Sequence, residues 1–211
     1  MRYEEVTDYV ESLVGAGDEL LSWVRKKSSE LESYGVHSID PTRGRLIETL
    51  VRLRSAKKVL EIGSGAGYSA LWFMKGMEPD GTLDAIEVNA TVVGILRTVV
   101  KKAGLEGRIK IHTGPALELL GRLKGPYDFV FIDAKKDEYP AYFDHAIRLT
   151  VAGSVILADN MLWGGAAVRG DRGREGVNGI ISYTRLIFND PRLVSVIIPL
   201  GDGMAVSYRV A

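Results

Sequence analysis

The chain has 211 residues, 46% of them hydrophobic, and its 27 Lys and Arg residues balance 27 Asp and Glu residues to a formal net charge of zero. That length and apolar content suit one globular unit with a full core, and the charge balance excludes a general electrostatic pull towards nucleic acid or anionic membrane. Cysteine is absent, which excludes disulfides, thiolate metal sites and a cysteine nucleophile.

The opening stretch, MRYEEVTDYVESLV, is acidic and amphipathic, unlike a secretory signal, and no apolar run is long enough to span a bilayer. A soluble cytoplasmic protein is expected. Val6, Val10, Leu13 and Val14 fall on one face of a predicted helix. Gly15 and Gly17 interrupt it, and Asp18 is placed to cap a second helix carrying Leu20, Leu21, Val24 and Leu31. A third helix carries Leu46, Ile47, Leu50 and Val51. Helices therefore precede any strand. Residues 1–40 are expected to form a lid or an oligomer contact on a core of residues 41–211, all within one domain.

From Lys57 the pattern alternates. KKVLEI, GTLDAIEV, RIKIHT, YDFVFID and GSVILAD read as strands, and helices are predicted over 68–77, 89–103, 115–123, 139–149 and around 179–188. The last two apolar runs, LVSVIIP and GMAVSYRV, are separated only by LGDG, which is a hairpin signal. Strand–helix alternation predicts a mostly parallel sheet covered by helices on both faces, with an antiparallel end.

EIGSGAGYS follows the first strand and opens a helix. Gly63, Gly65 and Gly67 let the backbone turn tightly and approach a ligand. The dinucleotide fingerprint places its third glycine one residue later, where this chain has Tyr68, and no Walker lysine follows. Pyrophosphate and triphosphate ligands are thus disfavoured, and a ligand such as S-adenosylmethionine remains. Glu87 ends the second strand about 20 residues downstream of Gly67, where an acid can take both hydroxyls of a ribose. Glu61, inside an apolar strand, reads either as an edge-facing acid or as a carboxylate that orients a ligand amine.

Asp133 ends the fourth strand, and Asp159 and Asn160 end the fifth. Adjacent parallel strands would bring these positions together, at the end of a sheet where ligands bind. Three oxygen-bearing side chains suit Mg²⁺, although Asp and Asn are also ordinary turn residues.

Four stretches, VLEIGSGAGYSALW, FVFIDAKKDEYPAYFDHA, VILADNMLWGG and VIIPLGDGMAVS, together resemble the cation-dependent O-methyltransferases, a family of class I S-adenosylmethionine-dependent methyltransferases that includes catechol and caffeoyl-CoA O-methyltransferases. The resemblance runs from about Ile39 to the C-terminus. It implies an α/β, Rossmann-like, mostly parallel seven-stranded sheet with extra N-terminal helices and a C-terminal antiparallel hairpin. It implies that Asp133, Asp159 and Asn160 ligate Mg²⁺ or Mn²⁺, and that Lys136 stands in the place of the family's catalytic lysine. Ile39, Glu61, Gly63, Ser69, Glu87, Ala116 and Asp133 match its cofactor positions, and a homodimer is expected.

The chemistry is coherent with that pattern. A divalent ion acidifies a bound hydroxyl, two adjacent oxygens can chelate it, and a lysine beside it can take the proton. The expected acceptor is a vicinal-diol or phenolic small molecule of catechol or hydroxycinnamoyl type. Lys135 competes with Lys136 for the role of base. Trp163 is a candidate wall for the substrate, whereas Tyr139 and Tyr142 read as helix packing and the three histidines as having no special role. Arg169, Arg172 and Arg174 could meet an anionic acceptor, which keeps a hydroxylated uridine in tRNA as an alternative. A non-catalytic S-adenosylmethionine-binding module and a NAD-dependent reductase are the readings of other classes.

Overall fold

The computed structural model describes residues 3–15 and 17–211. Two helices lead, α1 (Tyr3–Val14) and α2 (Glu19–Glu30), and α2 is capped as expected, with Asp18 accepting the Leu21 N–H. Val6, Val10 and Val14 are half-buried, but Leu13 is 67% exposed. The apolar stripe of α1 is therefore narrower than the sequence pattern, which cannot tell a face turned to the core from its shoulder. Leu21, Val24 and Leu31 join the same core cluster as Ile47 and Val51 of α3 (Pro41–Arg54), so the leading helices pack on the sheet's own core.

The remaining elements alternate as predicted. They are β1 (Lys58–Ile62), α4 (Tyr68–Gly76), β2 (Thr82–Glu87), α5 (Ala90–Lys102), β3 (Ile109–Thr113), α6 (Ala116–Leu120), β4 (Tyr127–Ile132), α7 (Tyr139–Leu149), β5 (Thr150–Ala158), α8 (Ala166–Arg169), α9 (Val177–Asn189), β6 (Leu193–Ile198) and β7 (Met204–Arg209). The short helix α8 is not foreseen by the sequence pattern, and two boundaries shift by three residues. α6 stops at Leu120, with Gly121 behind it. β5 begins before Gly153, because Thr150 pairs with Tyr127 across a bulge that separates this pair from Phe129–Val155.

The seven strands run in the order β3-β2-β1-β4-β5-β7-β6. β1 to β5 are parallel, and β7 lies antiparallel between β5 and β6. Successive side chains of a strand point to opposite faces, so parity sorts the residues. Val59, Ala85, Phe129, Phe131, Val155 and Leu157 face the cluster built with α2, α3, α4 and α5. Leu60, Ile62, Ile86, Val130, Ile132, Ile156 and Ala158 face α6, α7 and α9. Glu61 carries the parity of the first set, as do the positions two beyond Ala85, Phe131 and Leu157, which are Glu87, Asp133 and Asp159. Among the described residues no helix is long and apolar enough to cross a membrane.

Register sets the rest. Ile86, Ile62, Ile132 and Ala158 pair in one row across β2, β1, β4 and β5. The next row is therefore Glu87, Gly63, Asp133 and Asp159. The ladder extends into it, because Gly63 N donates to Ile86 O at 3.0 Å, Asp133 N to Ile62 O at 2.9 Å and Asp159 N to Ile132 O at 3.0 Å. Gly63 must be glycine here. Its φ is +90°, and a Cβ would lie 2.1 Å from the Asp133 carbonyl oxygen. Gly63→Ala is expected to cost roughly 2 kcal/mol or more, since a disfavoured φ and a clash with backbone act together. Urea unfolding of the ligand-free variant measures this, and wild-type stability would show that the row tolerates a side chain.

Candidate active site

A cavity of about 910 Å³ opens along this row. One end is walled by the glycine loop, Ser69, Glu87, Asn89 and Ala116, with Ile39 from the segment before α3. The other holds Asp133, Lys136, Asp159, Asn160 and Trp163. Every cofactor, metal and catalytic position matched by the family resemblance lines it except Glu61, which is fully buried behind the wall.

Glu87 is fixed by two backbone amides, accepting from Gly65 N and Asn89 N at 2.9 Å each. Its remaining lone pairs can accept from a diol. Glu61 lies in β1 at the middle of the sheet, so the edge-facing reading fails. Ser69 Oγ donates to its Oε1, and Oε2 has no partner. Burial pushes the Glu61 carboxyl up to about 7 against the pull of the Ser69 and Ser64 hydroxyls, and Asp133 and Glu87 add to the rise. A buried carboxylate with a spare oxygen next to two hydroxyls fits a ligand that brings an ammonium group to this wall.

At the opposite end, burial and the neighbouring Asp133 push Asp159 up, while Arg43 pulls it down. Asp159 Oδ1 accepts the Asn160 N–H at 2.8 Å, and Asn160 adopts φ +60°, a conformation that Asn tolerates. Among the described residues no three His, Cys, Asp or Glu side chains are grouped to hold a metal. The oxygen set here is two carboxylates and an amide. A buried and a half-buried carboxylate that repel each other, beside an amide side chain, fit a hard divalent ion.

Lys136 and Lys135 separate cleanly. Lys135 is 63% exposed and 3.5 Å from Glu138, whereas Lys136 is 8% exposed. Lys136 Nζ donates to Asp133 Oδ1 at 2.8 Å and to the Tyr139 hydroxyl at 2.7 Å. Tyr139 is buried and donates to the Asp159 carbonyl at 3.0 Å. Burial, then Asp133 and Asp159, push its phenol well above the ordinary range, so it stays neutral. Tyr139 therefore does more than pack. Trp163 sits with its ring centroid 5.6 Å from Lys136 Nζ, and its indole N–H donates to Glu175 O at 2.8 Å. Its φ of +51° is strained for a bulky residue.

Two residues escaped the sequence reading. His37 lines the cavity. Arg43 joins Asp40 to Asp159, a partner 116 residues away. Conversely, Arg169, Arg172 and Arg174 are exposed and none lines the cavity. Arg174 rests on the Trp163 ring at 5.4 Å, and Arg172 binds Asn178.

This fold, with a glycine turn and a strand-end acid at one end and an acid–lysine cluster at the other, defines an S-adenosylmethionine-dependent methyltransferase. The family model described as "O-methyltransferase" matches residues 12–210, and the chain belongs to that family. A relative in Mycobacterium sp. (strain KMS) is 34% identical over 99% of this chain and 94% of its own length. The catechol O-methyltransferase of Niastella koreensis is 29% identical over 97% of this chain and 96% of its own. Among solved structures, the O-methyltransferase from Bacillus cereus in complex with SAH superposes with a TM-score of 0.89 at 29% identity, covering 97% of each chain. TomG from Streptomyces achromogenes, in complex with SAM, gives 0.89 at 28% identity over the whole of both chains.

The Glu61 shift makes stability depend on pH. The folded carboxyl holds its proton up to about pH 7, against 4.5 for the ordinary group. Its contribution therefore falls as pH rises through that window. In ligand-free protein Glu61→Gln should match wild type below pH 5 and exceed it by on the order of 2–3 kcal/mol at pH 8. Urea unfolding at both pH values checks this, and an equal difference at each would place the ionisation elsewhere.

Proposed function

We propose that this enzyme methylates one hydroxyl of a vicinal diol on a small phenolic molecule of catechol or hydroxycinnamoyl type. S-adenosylmethionine would lie along the glycine end, and Mg²⁺, or Mn²⁺, would be held by Asp133, Asp159 and Asn160. The observation that carries this reading is the buried Lys136 amine, held by the Asp133 carboxylate at the end of the cavity opposite Glu87, where Asp159 and Asn160 also line the wall. The 29% identity to a catechol O-methyltransferase over nearly the full chain supports the acceptor class.

S-adenosylmethionine supplies an electrophilic sulfonium methyl. A divalent ion, when bound, acidifies a hydroxyl that touches it and gives two adjacent oxygens a common anchor. The remaining tasks fall to the chain. Glu87 accepts from the ribose hydroxyls with lone pairs that its two amides leave free. Glu61 and Ser69 face the amino-acid end. Ile39 and Ala116 close the apolar sides, and Trp163 walls the acceptor and shields the amine from water.

Lys136 receives the proton of the attacking hydroxyl at Nζ. To do so the amine must first give up a proton, after which it has two N–H donors and one lone pair. Asp133 Oδ1 and the Tyr139 oxygen take the two donors, which aims the lone pair at the cavity. Tyr139 spends its own hydrogen on Asp159 O, so it can only accept from the lysine. Proton transfer of this kind contributes about 10²–10⁴-fold.

A polyanionic acceptor is less well served. Glu118, Asp137, Glu138 and Glu175 stand in the lining alongside Lys135. That favours a small molecule over tRNA.

EDTA treatment should abolish methyl transfer to a catechol while most S-adenosylmethionine binding, followed by calorimetry, persists. Full activity in metal-free protein would contradict the ion's role. Lys136→Met should lower kcat by about 10²–10⁴-fold with cofactor affinity kept, whereas Lys135→Met should stay near wild type. The reverse pattern would move the base by one residue. Tyr139→Phe should lower kcat by roughly 5- to 10-fold at unchanged KM, the value of one hydrogen bond, and an unaltered kcat would return Tyr139 to a packing role.

A further inference from the structure

Arg43 is the third residue of α3, and its side chain is 13% exposed. Nε donates to Asp40 Oδ2 at 2.7 Å, and Nη1 donates to Asp159 Oδ2 at 2.6 Å. The other Asp159 oxygen already accepts the Asn160 N–H. Both oxygens of this carboxylate are therefore engaged by hydrogen-bond donors of the chain itself. Asp40 also caps α3 by accepting the Arg43 N–H at 2.8 Å, which fixes where the side chain starts. The guanidinium is boxed on its far side by the β6–β7 turn. A Cβ at Gly201, where φ is +57°, would fall 2.7 Å from Nε and 2.8 Å from Cζ. A turn shaped to lie flat on Arg43 is an independent sign that the contact is built in.

We propose that Arg43 is a resident counter-ion of Asp159, which holds this carboxylate aimed in the metal-free protein and competes with a divalent ion for it. The proposal rests on the metal reading given above. Asp159 is buried beside Asp133, and such a charge without a partner is costly. The planar guanidinium supplies the partner through a charge-assisted bond. An ion at the same carboxylate then meets a fixed positive charge a few ångströms away, and the repulsion weakens its hold. Arg43 thus stabilises the site when it is metal-free and keeps ion binding reversible. It is a positioning residue and touches no reacting atom.

The test is a calorimetric titration with Mn²⁺ alone on wild type, Arg43→Met and Arg43→Lys, with thermal melts of each in the presence and absence of Mn²⁺. Arg43→Met should bind Mn²⁺ roughly tenfold tighter or more, as expected for removal of a nearby positive charge. Its metal-free melting temperature should fall, and saturating Mn²⁺ should restore most of the loss. Arg43→Lys should stay close to wild type in affinity. Arg43→Gln keeps a hydrogen-bond donor without charge and replaces Arg43→Met should that variant not fold. Unchanged or weaker Mn²⁺ binding in the uncharged variant overturns the proposal. So does an equal loss of melting temperature with and without Mn²⁺, which would mark a merely structural contact. If neither wild type nor variant binds Mn²⁺, the metal site falls, and the proposal falls with it.

Discussion

The site depends on the parallel register at the carboxyl ends of four strands. Because Ile86, Ile62, Ile132 and Ala158 pair in one row, the residues that follow them are forced side by side. Three of those four are acidic, and the fourth is the glycine that lets two strand ends approach. Strand parity turns Glu61 to the same side of the sheet, towards α3 and α4, while the opposite parity supplies the apolar contacts to α6, α7 and α9. A slip of one residue would send the carboxylates into the second core and the isoleucines into the cavity. The fold and the site are consequences of one pairing choice.

Gathering carboxylates at one sheet edge is electrostatically unfavourable, and the structure meets the problem with specific partners. Glu87 is held by two backbone amides, Asp133 by Lys136, and Asp159 by Arg43 and the Asn160 amide. Glu61 is left with a spare oxygen, and burial pushes it up to about 7. Residual imbalance of this sort is what a site for cationic ligands requires. The sulfonium and ammonium of the methyl donor are positive, as the proposed divalent ion would be, and acidic side chains gathered at one wall supply the complementary chemistry.

Much of this was readable in the chain. Alternating strands and helices, the G-x-G-x-G turn and acids at strand ends each have a local signature, and together they point to the strand ends that the structure brings into one cavity. What was not readable is contact between residues far apart. Arg43 stands in DPTRGR, a stretch that looks like any solvated helix start, and its partner lies 116 residues downstream. Tyr139 sits in a helix with the spacing of a packing residue, and only the fold shows its hydroxyl against Lys136. Lys135 and Lys136 are indistinguishable by type, and the short 3₁₀ turn Lys136–Glu138 decides which is buried. The insertion of β7 between β5 and β6 is likewise invisible to periodicity, since a hairpin signal says that two strands pair but not which of them joins the sheet.

The most direct test of this account is a crystal structure of the protein grown with S-adenosylhomocysteine and Mn²⁺, with anomalous diffraction recorded at the manganese edge. The account predicts one anomalous peak within coordination distance of Asp133, Asp159 and Asn160, beside a nucleoside whose ribose hydroxyls meet Glu87. A nucleoside in place with no peak at those three residues, or with manganese ordered elsewhere, would contradict it.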